Sequence, residues 1–594
     1  MESNVADQYE IQPPGSPLPL ELLMVVFRFL DPGSLKNMAL VCKTWYRLSK
    51  DNSMWMQIFK ERFSNIGSVF PRVSRTRLWR TELIERETLI KNWKKGKGVH
   101  NTYNLESLFY TTDLQCDFKN NKLISLNKNT GNLVTCSLNN GANTDLQPST
   151  IPSGTTAYAM SKHSIVFGRW DSKVFGSLIN HKNILLSGIK EFKGSGHQGM
   201  VTCVNVNQIE LGKEGKIGAI TGDENGTIVG WDLKKGTQVA QCKICEATIA
   251  KVDSDYKDVI VVLDTQGALY VVKNMFNVSD CTHEVHELQV SLEINPQNVM
   301  FMKMYVDYGD SNIVLIDENT VEIISYRDNL VRRLITDEPI YKSSLEQNST
   351  AFTKRDVEVV GTDPLFLAIL LKSGRVLVIN VRAYEYQIRP VLDIFPRLAY
   401  EDDDYQRVVA INQNVDLPAL SEIAINSLVV AVGSYNGKIE FYDITTGEFF
   451  RKIAIKSSSK MLQQVGSQLL PISNIVMDQS LSAGVVAYGS MVQFFKFGDF
   501  YKELETKRKK KNFKERKYSN NHIKEAIKDY EYELHEEAQT ASRLQKYNGD
   551  HLEDSDEELQ MALALSMSIN ETSIGSQEQD ADLLVAIELS KQII

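Results

Sequence analysis

The residues of this chain that could do chemistry are few, and they point to binding rather than bond-making. Cys242 and Cys245 stand at a C-x-x-C spacing, but no second Cys/His pair lies at zinc spacing, so no metal site is expected. No phosphate-binding glycine loop and no nucleophile elbow occurs, and neither catalytic residues nor a cofactor are expected. Guanidinium groups fork onto phosphate oxygens, and Arg169, Arg327, Arg332, Arg333, Arg355, Arg375 and Arg382 fall in one β-rich region. Their spacing does not say which share a face. Most are expected to be solvated charges, and none is assigned to a substrate. The basic run Lys507-Arg508-Lys509-Lys510-Lys511, followed by Lys514, Arg516 and Lys517, suits an import signal, a nucleic-acid patch or a solvated helix face. Acidic residues after Glu525 argue against an extended nucleic-acid arm.

The stronger signal is apolar surface with nothing local to cover it. Pro19 suits a first helical position, where its missing N–H would have had no intrahelical partner. Leu20, Leu23, Met24, Phe27 and Leu30 then recur at three and four, one face of a helix. Leu22, Val25, Val26 and Phe29 crowd a second face, and so short a helix cannot bury both within one small bundle. Asp31-Pro32-Gly33 ends it, Ser34 can cap the next helix, and Leu35, Met38, Ala39 and Cys42 continue with helical spacing. The order of these residues resembles the F-box. The match includes Leu18-Pro19, Leu30-Asp31-Pro32, Val41-Cys42-Lys43-x-Trp45, Leu48 and Trp55. The resemblance implies docking onto a Skp-type adaptor, and through it a cullin. Leu18, Pro19, Leu22, Val26, Leu30, Pro32, Leu35, Val41, Cys42 and Trp45 are the residues it assigns to that contact. An ordinary helical hairpin is the alternative.

Helical character persists through Ile58, Phe63, Leu78, Trp79, Leu83, Leu89 and Trp93 until Lys94-Lys95-Gly96-Lys97-Gly98 breaks it. A spacer and a packed helical layer are both compatible with this segment. From about Asn101 to Gly498, short β-branched runs alternate with glycine, asparagine and aspartate, which predicts an all-β architecture. Gly196-His197, Val201–Val204, the turn Asp223-Glu224-Asn225-Gly226 and Trp231-Asp232 resemble a WD repeat, one four-stranded propeller blade. Strand–turn–strand pairs recur at Lys122–Cys136, Ser164–Leu178, Val259–Val272, Ile313–Ile324, Phe366–Ile379, Leu428–Tyr442 and Val485–Phe495. Together these predict a propeller of seven or eight blades, with eight favoured. A two-sheet sandwich is the alternative. Trp170-Asp171 spells the repeat dipeptide but lies in a turn before a strand, and Phe395–Pro418 reads as a polar insertion on one rim.

The tail holds a duplicated pattern. Acidic residues at Asp554–Glu558 precede Leu559, Ala562, Leu563 and Ser566, and Asp580 and Asp582 flank a second copy at Leu583, Ala586, Ile587 and Ser590. Positions 0, 3, 4 and 7 lie along one helix stripe. The pattern resembles the ubiquitin-interacting motif, which implies ubiquitin or polyubiquitin binding through those eight residues. Both copies depart from the family at the trailing acid, where Ile569 and Ile593 stand. Amphipathic helices packing on the propeller or on each other are the alternative. Ser555 and Glu558 have capping-box spacing, and Ser555 has an acidic context that suits phosphorylation.

Composition agrees with a multidomain globular chain. There are 594 residues, 42% apolar and 24% charged, with a net charge of −9 that gives no general case for nucleic acid. The scattered seven cysteines suit a reducing compartment, the acidic Met1–Asp7 has no apolar signal region, and runs such as Leu365–Leu371 are strand-sized. A nuclear or cytoplasmic location with no membrane contact is expected. The fold class is therefore an α+β multidomain chain: N-terminus 1–14, F-box 15–62, helical linker 63–98, propeller 99–500, charged helical arm 501–548, and tail helices at 554–570 and 578–594. The domain order resembles fungal F-box/WD-repeat proteins ending in ubiquitin-interacting motifs. That implies a non-catalytic substrate receptor of a cullin ubiquitin ligase, its protein substrates phosphorylated or not. A ubiquitin-reading scaffold that directs no destruction is the alternative.

Overall fold

The computed structural model describes residues 20–30, 34, 37–38, 40–48, 51–63, 70, 72–74, 78–95, 98–105, 111–179, 188–194, 196–208, 218–275, 284–289, 298–346, 364–400, 418–455 and 471–498. Leu18, Pro19, Pro32, Leu35, Arg355, the acidic stretch after Tyr400, the arm and both tail motifs lie outside these residues. The chain divides into two units, Met1–Glu503 and Leu504–Ile594, and every described residue belongs to the first.

Among the described residues it opens with the short helices α1 (Leu20–Arg28), α2 (Lys43–Leu48) and α3 (Asn52–Arg62). Asp51 caps α3, its carboxylate accepting from the Ser53 backbone N–H at 2.9 Å and from the Ser53 hydroxyl at 2.7 Å. Leu23, Phe27, Met38, Leu48, Met54, Trp55, Ile58 and Phe59 form the core of this module. Leu83 of the next helix, α4 (Trp79–Lys95), completes that core. The other end of α4 belongs to the β domain, where Trp93 is fully buried. Helix α4 therefore contributes side chains to both cores. Its seventeen residues span about 25 Å at 1.5 Å per residue.

The β domain is eight four-stranded antiparallel sheets, which excludes the two-sheet alternative. In chain order the blades cover residues 113–147, 155–191, 201–243, 249–287, 303–335, 340–394 and 422–454, and the eighth combines 472–497 with 98–104. The eight predicted strand pairs are the two central strands of the eight blades. These strands read as unbroken apolar runs because both faces meet neighbouring blades; every residue of Phe366–Leu371 is buried. The turns between them have a shared chemistry. Asp264 Oδ1 accepts from the Gln266 and Ala268 N–H groups, and Gly267 takes φ +89°, where a side chain would be strained. Asp223 does the same for Asn225 and Thr227. Trp170 sits exposed in a turn, as its position in the pattern predicts.

The ring is closed by Gly98–Asn104, the outer strand of the last blade, paired with Met491–Phe497 from Gly98↔Phe497 to Asn104↔Met491. In each blade the first strand is innermost, and side chains there reach over to the next blade. Thr202 Oγ1 donates to the Ile249 carbonyl at 2.5 Å, Tyr305 Oη to the Ser343 carbonyl at 2.9 Å, and Asn474 Nδ2 to the Thr112 carbonyl at 3.1 Å. Strand direction separates the two faces. Turns between the first and second strands share a face with α4, since Trp93 Nε1 donates to the Leu481 carbonyl at 2.9 Å. Blade-to-blade connections and the central turns lie on the opposite, far face.

Candidate functional site

Helix α1 separates the two apolar faces that its sequence predicts. Leu23 and Phe27 are 5% and 0% exposed, whereas Leu22, Val25, Val26 and Phe29 stand at 50%, 42%, 46% and 85%. Burying a side chain of this size is worth about 1.5–3 kcal/mol, so a row of four left in water is an unsatisfied surface. The module also exposes Leu40, Val41, Cys42 and Tyr46. Leu40 and Tyr46 are exposed residues that the sequence assignment did not name. Trp45 and Leu30 are partly buried against the module core, and the Trp45 ring meets Phe27 edge-on at 4.9 Å. These two side chains shape the module at the same time as they reach its surface.

Helix α4 is joined to the helical module by several polar contacts. Glu82 and Arg86 are both fully buried on α4, joined at 3.0 Å. The Glu82 carboxylate also accepts the Val73 and Ser74 N–H groups at 3.0 and 2.8 Å, which ties the incoming chain to the helix. Trp79 N–H donates to Asn52 Oδ1 at 2.8 Å, and Arg62 pairs with Glu87, so α3 and α4 are joined twice more. At the far end Trp93 packs on Phe441 and Phe497, with ring centroids 4.8 and 4.7 Å away.

Two constellations in the propeller have the look of chemistry and a structural use. His197 Nδ1 lies 3.0 Å from Asp223 Oδ2, its Nε2 lies 2.6 Å from Thr221 Oγ1, and Trp231 Nε1 donates to the same hydroxyl at 2.7 Å. All four side chains are buried, so this is a polar strut within the third blade, out of a substrate's reach. Burial pushes the Cys242 thiol up to about 11 and raises Cys245 as well, against the thiolate that metal or redox work needs.

The arginines correct an expectation. Most are expected to be solvated charges, but Arg382 is buried with two 2.6 Å contacts to Asp307. Arg332 is buried too, donating to Asn312 Oδ1 at 3.1 Å and to the Val381 carbonyl at 3.2 Å. Arg169 pairs with Asp171, Arg333 with Glu322, and Arg375 with both Asp337 and Asp393. Each of these guanidinium groups is engaged within the propeller; Arg327 has a 3.4 Å contact to Ser311 Oγ. Acceptors on other strands are what drew in the two buried ones, and no local pattern in the chain signals that.

Comparisons with known proteins agree with this architecture. Residues 16–61 match the F-box-like family. The chain is 25% identical over 380 residues to the ubiquitin ligase complex F-box protein UFO1 of Saccharomyces cerevisiae, covering 61% of this chain and 54% of that protein. It is 23% identical over 480 residues to the F-box/WD repeat-containing protein pof10 of Schizosaccharomyces pombe, covering 76% of this chain and 68% of that one. The match thus spans about half the length of the first relative. The solved structure of the computationally designed Ika8 protein is similar at a TM-score of 0.42 and 14% identity, covering 66% of this chain and 96% of that one. The chain carries an F-box-like domain followed by an eight-bladed propeller and is homologous to fungal F-box/WD-repeat proteins.

Proposed function

We propose that this protein is a non-catalytic substrate receptor of a Skp–cullin–F-box ubiquitin ligase. The observation that carries the reading is the uncovered row Leu22, Val25 and Val26 on α1, continued by Phe29 just past its end, within the F-box-like match. That row is the adaptor's landing face, extended by Val41 and Cys42. Helix α4 holds it at a set distance from the propeller, which takes the protein substrate. The names of the two relatives, a ubiquitin ligase complex protein and an F-box/WD-repeat protein, support the same assignment. The test is a pulldown of adaptor and cullin with the full chain, followed by ubiquitin transfer to the co-purified proteins. Adaptor and cullin capture with transfer is expected. Capture without transfer overturns the receptor reading in favour of a scaffold.

The tail adds a second contact. Two helical stripes, at Leu559, Ala562, Leu563 and Ser566 and at Leu583, Ala586, Ile587 and Ser590, hold ubiquitin chains on the substrate or on the receptor. Two weak tethered sites gain avidity when both engage. Replacing Ala562 and Ala586 with arginine is expected to abolish retention on a polyubiquitin resin, and unchanged retention rejects the assignment. The reading places the protein in the nucleus, the cytoplasm or both.

A further inference from the structure

The turn that receives α4 holds a residue its backbone does not suit. Leu481 lies between the first and second strands of the eighth blade at φ +60°, the left-handed region that glycine favours and a leucine Cβ resists. Among the described residues, three other blades place a non-glycine residue in that conformation in the corresponding turn. Asn121 of the first blade and Ser311 of the fifth, at φ 52° and 58°, are short polar residues, and asparagine visits this region readily. Tyr256 of the fourth, at φ 59°, is bulky, and it is held from outside its turn, its hydroxyl donating to Asn205 Oδ1 of the third blade at 2.6 Å. Leu481 is the other bulky residue of this group. Its outside hold comes from the helical part of the chain, since Trp93 Nε1 of α4 donates to its carbonyl at 2.9 Å.

Packing adds to that hold. Leu481 is buried and shares one core with Trp93, Phe441, Phe495 and Phe497. The Phe497 ring lies 4.7 Å from that of Trp93, and the Phe497 N–H donates to the carbonyl of Ser482, the residue after Leu481, at 2.8 Å. Across the sheet Phe497 pairs with Gly98, where the ring-closing strand begins just after Lys95, the last residue of α4. The turn, the indole and the closing strand therefore meet at one place. Two of the three belong to the segment that leads out of the helical module.

A left-handed leucine costs free energy and persists only where its surroundings over-determine it. Here the surroundings are the Trp93 hydrogen bond and the apolar cover on the Leu481 side chain, and both depend on α4 lying in place. With α4 lifted, the Leu481 carbonyl loses its donor, the side chain loses part of its cover, and the backbone can return to an ordinary conformation. We infer that this turn is a strained seat that makes the last blade conditional on the helical module. Docked, α4 holds Leu481 left-handed beside the closing strand; displaced, it lets the turn relax and the eighth blade loosen. The inference goes beyond the receptor reading and stands without it.

Hydrogen exchange of the full chain, read by mass spectrometry, tests it. Trp93→Phe keeps an aromatic ring and removes the N–H donor. Exchange in Asp478–Ala483 and Met491–Phe497 is expected to become at least about fivefold faster, with Ala219–Asp223 of the third blade unchanged. Leu481→Ile and Leu481→Met both keep an apolar side chain of similar volume. Branching at Cβ worsens a left-handed residue, so Leu481→Ile is expected to match that acceleration and Leu481→Met to stay within about twofold of the parent. Adding Leu481→Ile to Trp93→Phe is expected to bring less than about twofold more, because a turn already relaxed has no strain left to worsen. Unchanged exchange in Trp93→Phe, equal exchange in Leu481→Ile and Leu481→Met, or effects that multiply in the double variant overturns the inference. So does a rise spread evenly over all eight blades, which marks a general loss of stability rather than a local seat.

Discussion

His100 shows how a single half-buried ring sets a pH response. It lies on the closing strand, its ring 5.3 Å from Phe497, and desolvation with the nearby Arg451 charge lowers its pKa from 6.5 to about 4. Between those values the unfolded chain binds a proton that the folded chain refuses. This contribution to stability is therefore complete above pH 6.5 and declines as pH falls towards 4, at about 1.4 kcal/mol per pH unit. His100→Leu is expected to flatten that part of the curve, read as the difference between urea midpoints at pH 7 and pH 5. The polar strut is a different case. His197→Ala takes the imidazole partner from Asp223 Oδ2 and one of two side-chain partners from the Thr221 hydroxyl, and is expected to cost about 1–3 kcal/mol, measured by chemical denaturation. Trp231-Asp232 was recognisable in the chain as a repeat end, and His197 and Asp223 stood out as separate landmarks. Their bonding to one another was not legible, because it depends on strands folding back over one another.

At the scale of the element, α1 is where sequence and structure agree most closely. Periodicity alone divides the helix into an inner and an outer row, because the same 3.6-residue geometry that spaces side chains also decides which can face the core. Leu22→Asp with Val26→Asp is expected to abolish adaptor capture while leaving circular dichroism and the thermal midpoint unchanged, since neither side chain is in the module core. Helix α4 was legible as helical but not as a shared element. Its Glu82 accepts from backbone groups eight and nine residues earlier, and pairs with Arg86 in a dry interior. Removing one member of such a pair leaves the other charge buried. Glu82→Ala is expected to cost about 3–5 kcal/mol, far above the roughly 0.2–1 kcal/mol of an exposed pair. Comparing Glu82→Ala with Glu85→Ala, an exposed residue of the same helix, by thermal unfolding isolates that difference.

For the whole molecule, Trp93, with Val73, Leu89 and Ile90 beside it, and the closing strand Gly98–Asn104 join the helical module to the propeller. Trp93 is inserted among Phe441, Phe495 and Phe497, and Trp93→Ala is expected to cost about 3–5 kcal/mol of the packing that fixes α4 to the last two blades. Limited proteolysis at Lys94–Lys95 should accelerate in that variant, while adaptor capture by the F-box-like domain persists. By itself the sequence determined the parts: a helix with a surplus apolar face, eight strand pairs separated by turns rich in Asp, Asn and Gly, and the order helical module then propeller. Those are local properties, set by side-chain period and by backbone positions that only certain residues tolerate. The tertiary structure alone decided which strand closes the ring and which arginines are consumed within the propeller. Each of these joins residues tens to hundreds of positions apart, where no periodicity in the chain reports the contact.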